Sequence, residues 1–338
     1  MRWKCAEKKE LFMNDSLQKM NSPRGSLLDK KESVFKKIIS QRFLLLLIIP
    51  GIVYFIIFHY IPMYGIIIAF KDFNIFDGIW GSPWVGWKHF EFFTSLPYFW
   101  QVVKNTLWIS SLKILTGFPC PIILAILLNE LTAPRFKKTV QTITYLPHFL
   151  SWIVISGVVF QLLSNSYGLY GYICKVFNIS NPSIILQTKN GFLGVLLLSN
   201  IWKEIGYGSI IYLASISSIS PELYESAVID GANRFKQCIY ITLPCLKGII
   251  AVMFVLAIGG ILGGSFDQIY NLQNDVVRPW FDTIDTYVFR ISGLDGGVGA
   301  TPQYSLSAAV GLAKSLISLV LVLTSNWLVG KFANYTVF

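Results

Sequence analysis

The sequence predicts an all-α polytopic membrane protein with six transmembrane helices, and three observations carry that expectation. Hydrophobic residues make up 54% of the 338-residue chain and charged residues only 14%. A soluble domain carries roughly 25% charge, so this chain lacks the polar surface that a water-facing fold requires. Aromatic residues reach 15%, with ten Trp, as expected where rings anchor helices at membrane interfaces. Apolar runs of the ~20 residues needed to cross a bilayer recur six times, and mean hydropathy is +0.56.

Residues 1–32 read as a polar tail without periodicity, too poor in apolar surface to order itself. No cleavable signal is expected, because the first 40 residues are polar and the first apolar run is too long for a signal core. Residues 33–42 put Val34, Phe35, Ile38 and Ile39 on one helical face, with Lys36, Lys37, Gln41 and Arg42 largely on the other. That pattern predicts an amphipathic interfacial helix on the inner leaflet. The transmembrane domain then fills 43–338, with spans near 43–69, 102–128, 140–163, 192–217, 244–263 and 305–330. They are read as helices because a backbone in lipid must satisfy its own hydrogen bonds. The unbroken run 43–58 excludes the alternating pattern of an outer-membrane barrel.

Charge placement predicts orientation. The net charge of +10 is not spread as a nucleic-acid groove would need, because eleven of the 28 Lys and Arg lie in residues 1–42. With the N-terminus inside, the inner segments 1–42, 129–139, 218–248 and 331–338 hold 18 basic residues. The outer segments 70–98, 164–191 and 264–304 hold 6. This bias predicts cytoplasmic N- and C-termini.

Signatures of catalysis are missing from the sequence. It has no G-x-x-x-x-G-K-[ST] phosphate loop. His59, His89 and His148 are far apart, and His59 and His148 read as interfacial. Asp282 and Asp285 read as solvated loop polarity. Cys5, Cys120, Cys174, Cys238 and Cys245 form no C-x-x-C pair and read as small hydrophobes. No metal site and no cofactor bound by this chain are expected.

The informative stretch lies between the fourth and fifth spans, from Ser220 to Pro244. Ser220 stands at an N-cap position, Pro221 at the first helical position, and Glu222 and Glu225 in or near the first turn. Asp230-Gly231 then marks a turn at the helix end. A second short helix should follow, with Phe235, Ile239 and Leu243 in register, before Pro244 opens the next span. Two short helices around a glycine elbow make a rigid knob, and small residues such as Ser226, Ala227 and Gly231 let a partner approach its backbone.

This segment resembles the EAA loop, E-A-A-x3-G-x9-I-x-L-P, of permease subunits of ATP-binding-cassette importers. Glu225, Ala227, Gly231, Ile241, Leu243 and Pro244 match at the family's spacing, and Ser226 replaces the first Ala. With each residue type at roughly 5–10% abundance, six such matches arise by chance on the order of once in ten million starting points. A wider resemblance runs from about residue 43. The phrases at 60–65 (YIPMYG), 69–73 (AFKDF), 86–90 (GWKHF), 145–149 (YLPHF), 202–206 (WKEIG) and 284–287 (IDTY) are similar to LplB-type, MalF-like carbohydrate permeases.

The resemblance implies the type I importer (MetI-like) permease fold in a bacterial cytoplasmic membrane. It implies pairing with a second, homologous permease, in a heterodimer, and two separate ATPase subunits that use ATP and Mg²⁺. It also implies an extracellular solute-binding protein, a lipoprotein, that delivers an oligosaccharide. The alternatives are a non-sugar solute (peptide or lipid-linked) on the same machine, or a secondary carrier without an ATPase. The outer loops here are short, so a binding protein must dock on short loops and helix ends.

Within the spans, Lys203 and Glu204 are costly at the bilayer centre, ~2.5–3.5 kcal/mol or more for a charged group. They are expected either to line the pathway or partner interface, or to satisfy polar groups structurally. Lys104 and Lys113 are expected to snorkel or meet the partner. Trp152, Phe160, Trp202, Tyr207 and Tyr212 are aromatics that suit stacking on sugar rings, although aromatics in spans also pack or sit in interface belts. Gly259, Gly260, Gly263 and Gly264 are expected to allow close helix packing.

Overall fold

A computed structural model of the chain describes residues 42–179, 183–263, 265–295 and 302–333. The expected tail 1–32, nearly all of segment 33–42, Cys5 and Gly264 lie outside the described residues. Two compact units are distinguished, Met1–Tyr64 and Gly65–Phe338.

The described part of the first unit is helical. Helix Arg42–Phe55 passes through Pro50 into a π-helical turn, Ile56–Tyr60, and then into Ile61–Met63. The wide turn has a sequence cause. Pro62 has no N–H to return to residue 58, and the Ile61 N–H bonds instead to the Ile56 carbonyl, one residue further back. The same device recurs at Cys238–Thr242, two residues before Pro244, where the Leu243 N–H bonds to the Cys238 carbonyl.

Four helical runs are long and apolar enough to cross a membrane: α1 (Leu45–Phe70), α2 (Pro97–Glu130), α7 (Arg234–Gly259) and α9 (Tyr304–Ala333). A bent pair, α3 (Pro134–Phe149) and α4 (Trp152–Leu162), at 103° to each other, is apolar enough to cross as a single broken span. A sixth long helix, α5 (Lys189–Ser217), spans 29 residues, and Lys203 and Glu204 at its middle hold it below the apolarity of the others. Helix α6 (Pro221–Ile229) follows α5, and α8 (Ile284–Ile291) precedes α9. Among the described residues there is no strand, only an isolated bridge between Lys71 and Trp84.

Two expectations are corrected here. The third span, expected as one run over 140–163, is broken. Pro147 sits in a short 3₁₀ turn, Leu146–Phe149, and Ser151 starts a new helix by accepting a hydrogen bond from the Val154 N–H. The fifth span begins at Arg234 rather than Pro244, because the π-turn absorbs the proline without ending the helix.

In the second unit, α5 packs on the second half of α2, Pro119–Glu130, and α7 packs on α9. Three apolar clusters hold the helices. One gathers Phe93, Phe99, Val102, Ile284, Tyr287 and Val310. A second gathers Ile109, Phe192, Leu196, Ile269 and Phe281, and a third Ala125, Tyr212, Ile216 and Leu246. Helix association in lipid depends on close packing rather than on expelling water, and small residues supply it. A Cβ built on Gly206 would lie 2.0 Å from the Thr144 carbonyl oxygen, so α3 and α5 touch backbone to backbone there. A Cβ built on Gly259 would lie 3.1 Å from a Val322 methyl group of α9, closer than side chains ordinarily pack.

Candidate functional site

The segment 220–244 forms the expected knob. Pro221 opens α6 after Ser220, whose side chain makes no capping bond. The helix ends at a left-handed Gly231 with φ of 75°. The Ala232 N–H donates to the Ala227 carbonyl (2.8 Å) and the Gly231 N–H to the Val228 carbonyl (3.0 Å). These two bonds are the Schellman pattern, in which a residue without a Cβ relieves the left-handed turn. Asn233 then caps the next helix by accepting from the Lys236 N–H at 2.9 Å.

Side chains lock the elbow. The Gln237 amide donates to the Ala232 carbonyl at 2.9 Å, and the Tyr224 hydroxyl lies 3.0 Å from that of Thr242. Arg234 reaches Glu130 at the end of α2, 3.7 Å away. Glu225, Ser226, Asp230, Gly231 and Pro244 are exposed, while Ala227, Ile241 and Leu243 are half-buried. Ile229 is 86% exposed and Phe235 72%. The second limb of the knob is the first part of α7, so a push on the knob is a push on a span.

A second constellation forms where α5 crosses the break between α3 and α4. The break frees carbonyl groups that have no helical partner, and the buried Lys203 ammonium donates to two of them, on His148 (2.8 Å) and Leu150. The indole of Trp152 lies 5.5 Å from the same ammonium. Glu204 accepts from the His148 imidazole at 3.0 Å, and Tyr207 stacks on that ring at 3.8 Å with an interplanar angle of 1°. Lys203, Glu204, Trp152 and Tyr207 therefore meet around His148. His148, expected at an interface, is turned by the break onto α5.

Phe160 and Trp202 are exposed and outside this group, and Tyr212 is buried in the third apolar cluster. Glu204 also lines an open cavity of about 220 Å³, together with Ser110, Lys113, Gly117, Asn200 and Ser265. Lys113 does not snorkel: its ammonium donates to Ser265 Oγ (3.0 Å) and Gln268 Oε1 (2.8 Å). The Gln268 amide continues to the Leu196 carbonyl and Ser199 Oγ. Sequence reasoning missed this polar thread, for which a lysine within an apolar helix was the one available signal.

Asp282 and Asp285 are the clearest correction. Asp282 is fully buried, not solvated. It accepts from the Tyr98 hydroxyl (2.6 Å), Thr286 Oγ1 (2.7 Å) and Arg290 Nη2 (2.5 Å). Asp285 pairs with Lys314 of α9. Burial pushes the Asp285 carboxyl above the usual carboxylate range, against the pull of that ammonium. The readable signal was Thr286 and Arg290, four apart on one face of α8, with Asp282 just ahead of its first turn. Among the described residues, no cluster of His, Cys, Asp and Glu has metal-binding geometry.

Residues 23–334 match the family described as the binding-protein-dependent transport system inner membrane component. The chain belongs to this family. This inner membrane component is 42% identical over 306 residues to the polygalacturonan/rhamnogalacturonan transport system permease protein YteP of Bacillus subtilis (strain 168), covering 90% of this chain and 93% of that protein. It is 38% identical over 293 residues to protein LplB of the same organism, covering 86% and 90%. It also matches a chain in the crystal structure of a bacterial alginate ABC transporter in complex with an alginate pentasaccharide-bound periplasmic protein. There the TM-score is 0.79 at 37% identity, over 90% of this chain and 99% of that one. The inner membrane component is thus a multi-pass transport permease with the type I importer fold.

Proposed function

We propose that this permease forms one half of the translocation pathway of an ATP-driven importer and carries an oligosaccharide handed over by an external binding protein. Its other half is a second, homologous permease, and the binding protein is a lipoprotein on the outer face. Two ATPase subunits use ATP and Mg²⁺ and act on the knob 220–244, with both termini of this chain in the cytoplasm. The observation that carries this reading is the knob itself. It is rigid, it exposes Ile229 and Phe235 away from the apolar clusters, and it runs without interruption into α7. The saccharide cargoes in the names of YteP and the alginate transporter support the choice of cargo.

The test is reconstitution of the chain with its partner permease, ATPases and binding protein in proteoliposomes. Uptake of oligosaccharide should require ATP, the binding protein and an intact knob. Uphill uptake by this chain without an ATPase would sink the proposal.

A further inference from the structure

The segment between α1 and α2 ties many of its polar groups to one another and leaves its rings exposed. Lys71 and Trp84 bridge, the Asp72 N–H donates to the Pro83 carbonyl, and the Val85 and Gly86 N–H groups donate to the Phe70 carbonyl. The Lys71 ammonium donates to the carbonyls of Ile79 (2.7 Å) and Trp80 (3.3 Å). Asn74 takes Ser82 Oγ through its N–H, Asp77 through its amide, and the Phe76 N–H through its side-chain oxygen. The loop's polar atoms are thus largely spent within it. Ile75, Phe76, Trp80, Trp84 and Trp87 remain exposed, Phe76 at 95%.

Large rings so exposed and so close together in the chain mark a surface that meets something other than water. The depth of this loop is also set. Phe70, the last residue of α1, stacks on Trp84 with centroids 5.8 Å apart and meets Trp87 edge-on at 5.5 Å. Those two indoles therefore lie at the end of a span, where Trp is favoured in the headgroup zone. We infer that the hairpin 71–87 is an interfacial anchor that seats its rings in the lipid headgroup region at that end of the spans. The partner is lipid, because Trp84 and Trp87 pack on the last residue of a span.

Photocross-linking tests this in the assembled importer, reconstituted with its binding protein in phosphatidylglycerol/phosphatidylethanolamine vesicles. Phe76 is replaced by p-benzoylphenylalanine, with Trp84 as the alternative position should the first variant fail to assemble. Leu47, exposed in α1, serves as the lipid-facing reference. The expected result is a mass increase of one phospholipid on this chain, in yield comparable with that at Leu47. Cross-linking to the binding protein or any other polypeptide overturns the inference. So does the lack of a lipid adduct while Leu47 retains one.

Discussion

Replacing Lys203 by Met tests whether the break between α3 and α4 is held from α5. Met keeps the length and bulk of the side chain but donates nothing to the His148 and Leu150 carbonyls. Each orphaned buried carbonyl costs about 2 kcal/mol, and the lost contact with the Trp152 indole adds about 0.5–1 kcal/mol. Removing a charge from mid-membrane returns about 3 kcal/mol, so the net loss is about 1–2 kcal/mol. That corresponds to a ~5–30-fold rise in local opening. The amides that report it are Leu150, Val154 and Ile155, which bond to Pro147 and Ser151 at the break. Hydrogen exchange in nanodiscs should show faster exchange at these three and unchanged exchange in α9. Unaltered protection at the break in the Lys203→Met protein would refute the argument, since Lys203 is the group that bridges those two carbonyls.

Other outcomes follow from the same geometry. Gly231→Leu should uncouple ATP hydrolysis from uptake while leaving membrane insertion intact. The φ of 75° costs a Leu about 1–2 kcal/mol, yet no atom lies within 4 Å of its Cβ, so the change falls on the docking surface. Wild-type uptake with wild-type cargo-stimulated ATPase activity would show the segment to be an ordinary loop. Asp282→Asn should lower stability by about 2–4 kcal/mol by stranding Arg290 against a buried neutral group, read as a fall in melting temperature of the purified complex. Asp275→Asn, at an exposed pair with Arg278, should change it by less than about 1 kcal/mol. Gly206→Ala should reduce the yield of folded protein, because its methyl group cannot share space with the Thr144 carbonyl; normal yield would mean that α3 and α5 separate at little cost. A cysteine placed at Tyr167 should react with membrane-impermeant reagents from outside intact cells, and one at Asp230 only after permeabilisation; the reverse result overturns the orientation.

The helical class, the long spans and the knob were legible because each depends on local chemistry. Lipid leaves a backbone no hydrogen-bond partner but itself, so a long apolar run is already a helix. Pro221 and Gly231 mark helix ends through their own conformational limits, whatever surrounds them. The Asp282 network was misread as solvated because its acceptor role is completed by Tyr98, far away in the chain.

By itself, then, the sequence determined which stretches are helical and where the segment 220–244 starts and turns. Tertiary structure alone decided that the third span breaks and that His148 faces α5. Pro147 permits the break, but the freed carbonyls are satisfied by an ammonium more than fifty residues further on. A proline states a local tolerance; whether the chain bends there depends on a donor arriving from another helix, and no local pattern encodes that arrival.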